Sequence, residues 1–173
     1  LHKVISTSQI IGDRILEPQI KISKKTLLIK ENINFIRKVK KESNLIAMAP
    51  SANWEGKKWP QERFIQLIKK LINSDEFKNP KFLIFGSLNE IDDAKNISIN
   101  FPKDELINFS GSLKLNEIFL IFKYCDLFIG NDSGLMHLAA AAKIATVGLF
   151  GPSDIIQYHP WGKNTLAIRT PKS

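Results

Sequence analysis

From residue 45 onward the chain alternates between short unbroken apolar runs and longer stretches whose apolar positions recur every three or four residues. The runs Leu45-Ile46-Ala47-Met48-Ala49, Lys81-Phe82-Leu83-Ile84-Phe85, Leu106-Ile107-Asn108-Phe109, Asp126-Leu127-Phe128-Ile129-Gly130, Ala145 to Phe150 and Thr165 to Arg169 read as strands. Between them the pattern predicts helices: one opened by Pro60 with Phe64, Leu67, Ile68 and Leu71 on one face, then Glu90 to Ile99, Leu115 to Tyr124, and Gly134 to Ala142. Strands without polar alternation that are separated by helices predict a parallel sheet covered on both faces. The fold class is therefore α/β, a Rossmann-like doubly wound sheet. In the usual strand order 3-2-1-4-5-6, strands 1 and 4 are neighbours, and the loops that follow them open into one ligand crevice. Here those loops are Pro50 to Trp59 and the turn Asn131-Asp132-Ser133-Gly134.

Upstream the pattern is weaker. Residues 1 to 30 mix polar and apolar positions around Pro18 without a period, whereas Glu31 to Glu42 sets Ile33, Ile36 and Val39 at near-helical spacing. Residues 1–44 read as a linker and a lead-in helix, and residues 45–173 as the domain. At 173 residues and 43% hydrophobic content the chain can bury a core without staples. Cys125, its only cysteine, reads as a buried thiol in a reducing compartment, with no zinc site expected. The sequence shows neither a secretory pattern nor an apolar run near the roughly 20 residues of a spanning helix, which predicts a cytoplasmic location. It begins at Leu1 and stops just after an apolar stretch, so a longer parent protein is expected. The formal charge of +8 favours anionic partners. No stripe of interleaved aromatic and basic residues is apparent, which argues against nucleic acid.

The candidate chemistry lies at the predicted crevice. A strand that feeds a helix through Asp132-Ser133-Gly134 is suited to hold an anion. Ser133 can cap the first free amides, Gly134 admits a ligand to the backbone, and the helix dipole adds positive charge. His137 lies one turn further along the same helix and can donate to a phosphate or sugar oxygen. Asp132 would repel a phosphate, so it is expected to accept from sugar hydroxyls or backbone amides. Lys57 and Lys58 precede a helix start, where positive charge is unfavourable unless an anion is present, and at least one is expected to contact phosphate. Trp59 reads as a packing residue with a possible ligand face. Glu90, after strand 2, stands where such a sheet offers an acid to ribose hydroxyls. Gly151-Pro152-Ser153-Asp154 forms a turn on the same rim. The GxGxxG, Walker lysine, serine-elbow and HExxH motifs are all missing, which removes the usual support for dehydrogenase, ATPase, hydrolase and protease readings.

Taken together, these motifs resemble the C-terminal half of glycosyltransferase family 9, the ADP-heptose:lipopolysaccharide heptosyltransferase family. The resemblance rests on Ser51-Ala52-Asn53 through Lys57, Trp59 and Pro60, on Asp132 to Ala141, on Phe150 to Asp154, and on Trp161-Gly162 beyond. It covers roughly Leu45 to Asn164. It implies a GT-B enzyme with two Rossmann-like domains, in which this half binds the nucleotide sugar and an inverting, metal-independent transfer takes place in the cleft between the halves. By motif position the donor-binding roles fall on Ser51, Asn53, Lys57, Glu90, Asp132, Ser133, Gly134 and His137, with Leu113 near the adenine. The catalytic base is expected in a missing N-terminal domain. The implied partners are ADP-heptose, a lipopolysaccharide core acceptor and peripherally the cytoplasmic face of the inner membrane, with no cofactor; a transferase for another nucleotide sugar and a non-catalytic nucleotide-binding module are the alternative readings. Two positions depart from the family pattern: Asn53 stands where a hydroxyl residue is common, and Leu135 where proline is frequent.

Overall fold

The computed structural model describes residues 30–169. Its elements are α1 (Lys30–Lys40), β1 (Leu45–Ala49), α2 (Gln61–Ile72), β2 (Lys81–Ile84), α3 (Ile91–Ser98), β3 (Leu106–Asn108), α4 (Leu115–Phe122), β4 (Leu127–Asn131), α5 (Gly134–Ala141), β5 (Ala145–Phe150), α6 (Ile155–Tyr158) and β6 (Thr165–Arg169). The expected strands all form, with ends shifted by a residue. The helix expected from Glu90 starts at Ile91, because Leu88–Glu90 makes a 3-10 turn first. The 3-10 turn Glu55–Lys57 and the helix α6 were not legible in the periodicity. Each is too short to show a hydrophobic period.

The strands form one parallel sheet in the order β3-β2-β1-β4-β5-β6. The order expected from the sequence is the one observed, and β1 and β4 pair directly from Ile46–Leu127 to Ala49–Gly130. Successive β1 residues feed opposite cores, as the two-residue period of a strand requires. Leu45, Ala47 and Ala49 join Phe85, Ile118, Phe122, Met136 and Ala139 beneath α4 and α5. Ile46 and Met48 join Phe64 and Ile68 of α2 and Ala94 and Ile97 of α3. Each fully buried phenylalanine contributes about 1.5–3 kcal/mol of transfer free energy. Phe122 ties the first core together, meeting Phe85 edge-on at 5.0 Å and Phe128 at 5.6 Å.

Coverage of both faces fails at one margin. Leu166 and Ile168 of β6 are exposed, and in register they sit beside Val147 and Leu149 of β5. These side chains share the face that α2 and α3 cover over the central strands, and among the described residues no helix extends over them.

Ile36 of α1 is fully buried in the first core. Lys40 of α1 is hydrogen-bonded and ion-paired with Asp126, whose other oxygen accepts from the Leu45 amide at 2.8 Å. Desolvation works to raise the Asp126 pKa. Hydrogen bonds from Lys40, the Leu45 amide and Asn44 outweigh it, and the carboxyl sits below its ordinary range. A carboxyl whose folded pKa is depressed adds stability above its unfolded value and loses it as pH falls through the folded one. Asp126→Asn should therefore flatten the acid limb of a urea-midpoint titration between roughly pH 5 and pH 2. An unchanged limb would show that the Lys40–Asp126 contact is energetically idle. Cys125, next in chain, is buried, and burial together with the Asp126 charge pushes its thiol up to about 12, so it is a packing residue.

Candidate functional site

Parallel strands all point their carboxyl ends to one edge, and the adjacency of β1 and β4 makes their loops the walls of a single cleft. Asn131, the last residue of β4, fixes that geometry. It is fully buried, its side-chain amide donates to the Pro50 carbonyl at 2.7 Å, and its Oδ1 accepts from the Trp59 amide at 3.0 Å. Both ends of the β1 loop are thereby clamped to the end of β4. Sequence reasoning named Asn131 only as the first residue of the turn after strand 4 and assigned it no role. The signal was present in a polar residue closing an apolar strand run.

The resulting cleft has a volume of about 650 Å³, within the range of small-molecule sites. All nine residues assigned to donor binding line it: Ser51, Asn53 and Lys57 from the β1 loop, Glu90 from the β2 loop, Leu113 ahead of α4, and Asp132, Ser133, Gly134 and His137 at the start of α5. Apolar surface from Phe85, Leu113, Leu115 and Ile118 forms one part of the wall.

Several expected roles change on inspection. Ser133 holds the N-cap position of α5, yet its side chain makes no cap hydrogen bond. Its Oγ is buried without a partner, as is that of Ser51, which is only 4% exposed. The expected self-capping is therefore corrected. The Met136 amide donates to the Ser133 carbonyl at 3.2 Å, so of the first amides of α5 those of Gly134 and Leu135 remain for a ligand, with the Ser133 hydroxyl beside them. Gly134 is exposed, and a Cβ there would meet nothing within 4 Å, so the mouth is open at that point.

Asp132 was expected to accept from sugar hydroxyls or backbone amides. Instead its Oδ2 accepts from Lys57 Nζ at 2.7 Å, and the carboxylate side chain is only 5% exposed. Lys57 also stands 5.6 Å from the Tyr158 ring centroid. Its ammonium is thus held in place between α5, α6 and the β1 loop. Lys58 points elsewhere, pairing with Glu55 and with Asp93 at 2.9 Å each, so of the two candidate lysines only Lys57 lines the cleft. Trp59 meets Phe64 edge-on at 5.0 Å, and its packing role is the one observed.

Glu90 lines the cleft, but one of its oxygens is committed. Oε2 accepts from the Ser87 amide at 2.6 Å in a capping box that rigidifies the β2 loop. The other oxygen is left for a ligand. The Gly151–Asp154 turn is not part of the cleft wall. Asp154 caps α6 by accepting from the Ile156 amide at 2.9 Å, and α6 supplies Tyr158 to Lys57. Gly151 also supports the β1 loop, since a Cβ there would stand 2.6 Å from the Gly56 carbonyl oxygen.

Desolvation holds the His137 imidazole below its ordinary range. The Asp132 carboxylate opposes this, and the charges of His159 and Lys57 add to the lowering. The ring is neutral at pH 7, with one nitrogen a donor and the other an acceptor. Lys57 and Asp132 cancel, and Glu90 adds a negative charge, so the side chains give the cleft no positive excess. An anion here is attracted by the amides and dipole of α5 and by a Lys57 ammonium that can bridge Asp132 and a phosphate oxygen. Among the described residues no group of three or more His, Cys, Asp or Glu could hold a metal ion, and no helix is long and apolar enough to cross a membrane.

Comparison with known proteins bears on the family and the fold. The profile of glycosyltransferase family 9 (heptosyltransferase) matches residues 11–173. Lipopolysaccharide heptosyltransferase 2 of Salmonella typhimurium is 28% identical over 87% of this chain and 42% of its own length. Lipooligosaccharide heptosyltransferase 2 of Campylobacter jejuni is 30% identical over 68% of this chain and 36% of its own. The solved ADP-heptose lipopolysaccharide heptosyltransferase II of E. coli superposes with a TM-score of 0.77 at 25% identity, covering 95% of this chain and 49% of that one. A glycosyl transferase family 9 structure from Veillonella parvula gives 0.79 at 20% identity, covering 99% of this chain and 48% of its own, which bears on the fold alone. The chain spans less than half the length of these relatives.

Proposed function

This chain belongs to glycosyltransferase family 9, the heptosyltransferases, and on that premise we propose that it is the donor-binding half of a two-domain GT-B enzyme that transfers heptose from ADP-heptose to a lipopolysaccharide core acceptor. The observation that carries the reading is the convergence of Ser51, Lys57, Glu90, Ser133, Gly134 and His137 on one cleft at the carboxyl ends of β1, β2 and β4. Glu90 would accept from ribose hydroxyls through its uncommitted oxygen, with the base against Leu113. The diphosphate would lie on the first amides of α5, contacted by Ser133, Lys57 and the His137 N–H. Once an anion sits there, its charge raises the His137 pKa, which makes the ring a donor and disqualifies it as the base.

Transfer would proceed with inversion. The acceptor hydroxyl attacks the anomeric carbon opposite the leaving group, the bond from that carbon to the diphosphate oxygen breaks, and ADP departs with the electron pair. The hydroxyl proton goes to a base in the other half of the enzyme. What this half supplies is stabilisation of the charge that develops on the departing diphosphate, from donors already in place. The reaction would run without a divalent metal, at the cytoplasmic face of the inner membrane, where a lipid-linked acceptor and a soluble donor meet.

Calorimetry on this chain should show ADP and ADP-heptose binding, with a panel of other sugar nucleotides weaker. Absence of binding by any adenine nucleotide would refute the donor-site reading. Chelator should leave both affinities unchanged. Ser133→Ala should weaken ADP binding by about 1 kcal/mol while leaving the urea midpoint of the free protein unchanged or raised, because the hydroxyl has no partner to lose. The chain alone should transfer nothing, and turnover by it at the rate of the two-domain enzyme would overturn the division of roles.

A further inference from the structure

Trp54 is 55% exposed in the middle of a polar loop, and it lines the cleft. A large indole exposed at a binding site represents apolar area that a ligand can bury. The loop is shaped around it. At Gly56 a Cβ would stand 3.0 Å from the Trp54 ring, so the glycine lets the indole lie against the backbone beside Lys57. Gly151 in turn lets the Gly56 carbonyl rest on the end of β5.

These contacts fix which end of the cleft Trp54 serves. β2 and β3 lie on one side of β1, and β4 and β5 on the other. Glu90 and Leu113 follow β2 and β3, whereas the tip of the β1 loop leans toward β5. A nucleotide with its ribose at Glu90 and its diphosphate at the α5 amides therefore carries its terminal group toward Trp54 and Asn53. We propose that Trp54 is the platform for the transferred sugar and a determinant of donor specificity, an assignment that rests on the donor-site reading above. A pyranose offers a face of C–H groups to an aromatic ring and keeps its hydroxyls at the rim, where Asn53 is an exposed donor and acceptor. The indole then discriminates among sugars by their shape, while the charged groups bind the nucleotide common to all of them.

The test compares ADP with ADP-heptose by calorimetry on the wild-type chain, Trp54→Ala and Trp54→Phe. Trp54→Ala should weaken ADP-heptose about tenfold and leave ADP within twofold, so that the preference for sugar nucleotide over nucleotide collapses. Trp54→Phe should recover most of the loss. The side chain is mostly exposed, so the thermal midpoints of all three should coincide, which separates a binding defect from a folding one. Equal loss of both ligands in Trp54→Ala would place the ring on the nucleotide and overturn the proposal, as would no loss of either. If the wild-type chain binds neither ligand, the donor-site reading falls first and the platform with it. In the two-domain enzyme Trp54→Ala should raise KM for ADP-heptose and narrow its advantage over ADP-glucose, and an unchanged ratio would count against a specificity role.

Discussion

Lys57→Ala should weaken ADP binding by about 2 to 4 kcal/mol, roughly 30-fold to 1,000-fold, which exceeds the loss of one charge-assisted hydrogen bond. The excess comes from Asp132. In the wild-type protein its carboxylate is nearly buried and answered by Lys57 Nζ at 2.7 Å. Without Lys57 the carboxylate faces the incoming diphosphate directly, so the variant loses an attraction and gains a repulsion. It should also be less stable than wild type, because removing one partner of a nearly buried ion pair leaves the other uncompensated. The double variant Lys57→Ala with Asp132→Asn removes both charges and, compared with each single variant, should recover part of the affinity and most of the stability. That positive coupling, read from a double-mutant cycle, distinguishes a bridging lysine from a merely electropositive one. Wild-type affinity in Lys57→Ala would eliminate this lysine from the site. Strict additivity in the cycle would eliminate the bridge.

The largest effect on the fold is expected at Asn131. Asn131→Ala strands the Pro50 carbonyl and the Trp59 amide and leaves a small void at a fully buried position. Loss of two such hydrogen bonds should cost about 2 to 4 kcal/mol and lower the melting temperature by roughly 5 to 15 °C. Asn131→Asp is the sharper probe. It can still accept from Trp59, but an ionised carboxylate cannot donate to Pro50 and would oppose that carbonyl. It should be no better than alanine at pH 7 and should recover as pH falls and the carboxyl protonates. Below their melting transitions both variants should bind ADP more weakly than wild type, because the β1 loop that carries Ser51, Asn53 and Lys57 is no longer clamped to β4. A variant that melts early yet binds normally would separate the clamp from the site.

The strand and helix succession is legible in the chain without any tertiary information. It follows from local period, and unbroken apolar runs such as Leu45–Ala49 and Ala145–Phe150 have few alternatives once helices separate them. From that succession the usual strand order of a doubly wound sheet, taken as an assumption, and the switch-point rule delivered the crevice, and the positions of Ser51, Lys57, Glu90, Ser133 and His137 around it were legible because each lies in a loop or helix start that follows a strand end. The pairings within that crevice are set by contacts between distant parts of the chain. Lys57 and Lys58 are adjacent and chemically identical in the sequence. Only the 3-10 turn at Glu55–Lys57 sends one to Asp132 and the other to Glu55 and Asp93. Ser133 looks like a cap, but its φ of −151° and ψ of 170° accompany a hydroxyl that leaves the Gly134 and Leu135 amides uncovered. Asn131 heads the turn after β4 with no role legible in it, and Trp54 carries no motif of its own. The importance of one lies in two backbone groups far away in the chain, and that of the other in which end of a cleft its loop leans toward. Long-range contacts of this kind depend on the order of strands and the path of loops, and a local pattern of hydrophobic and polar positions does not encode them.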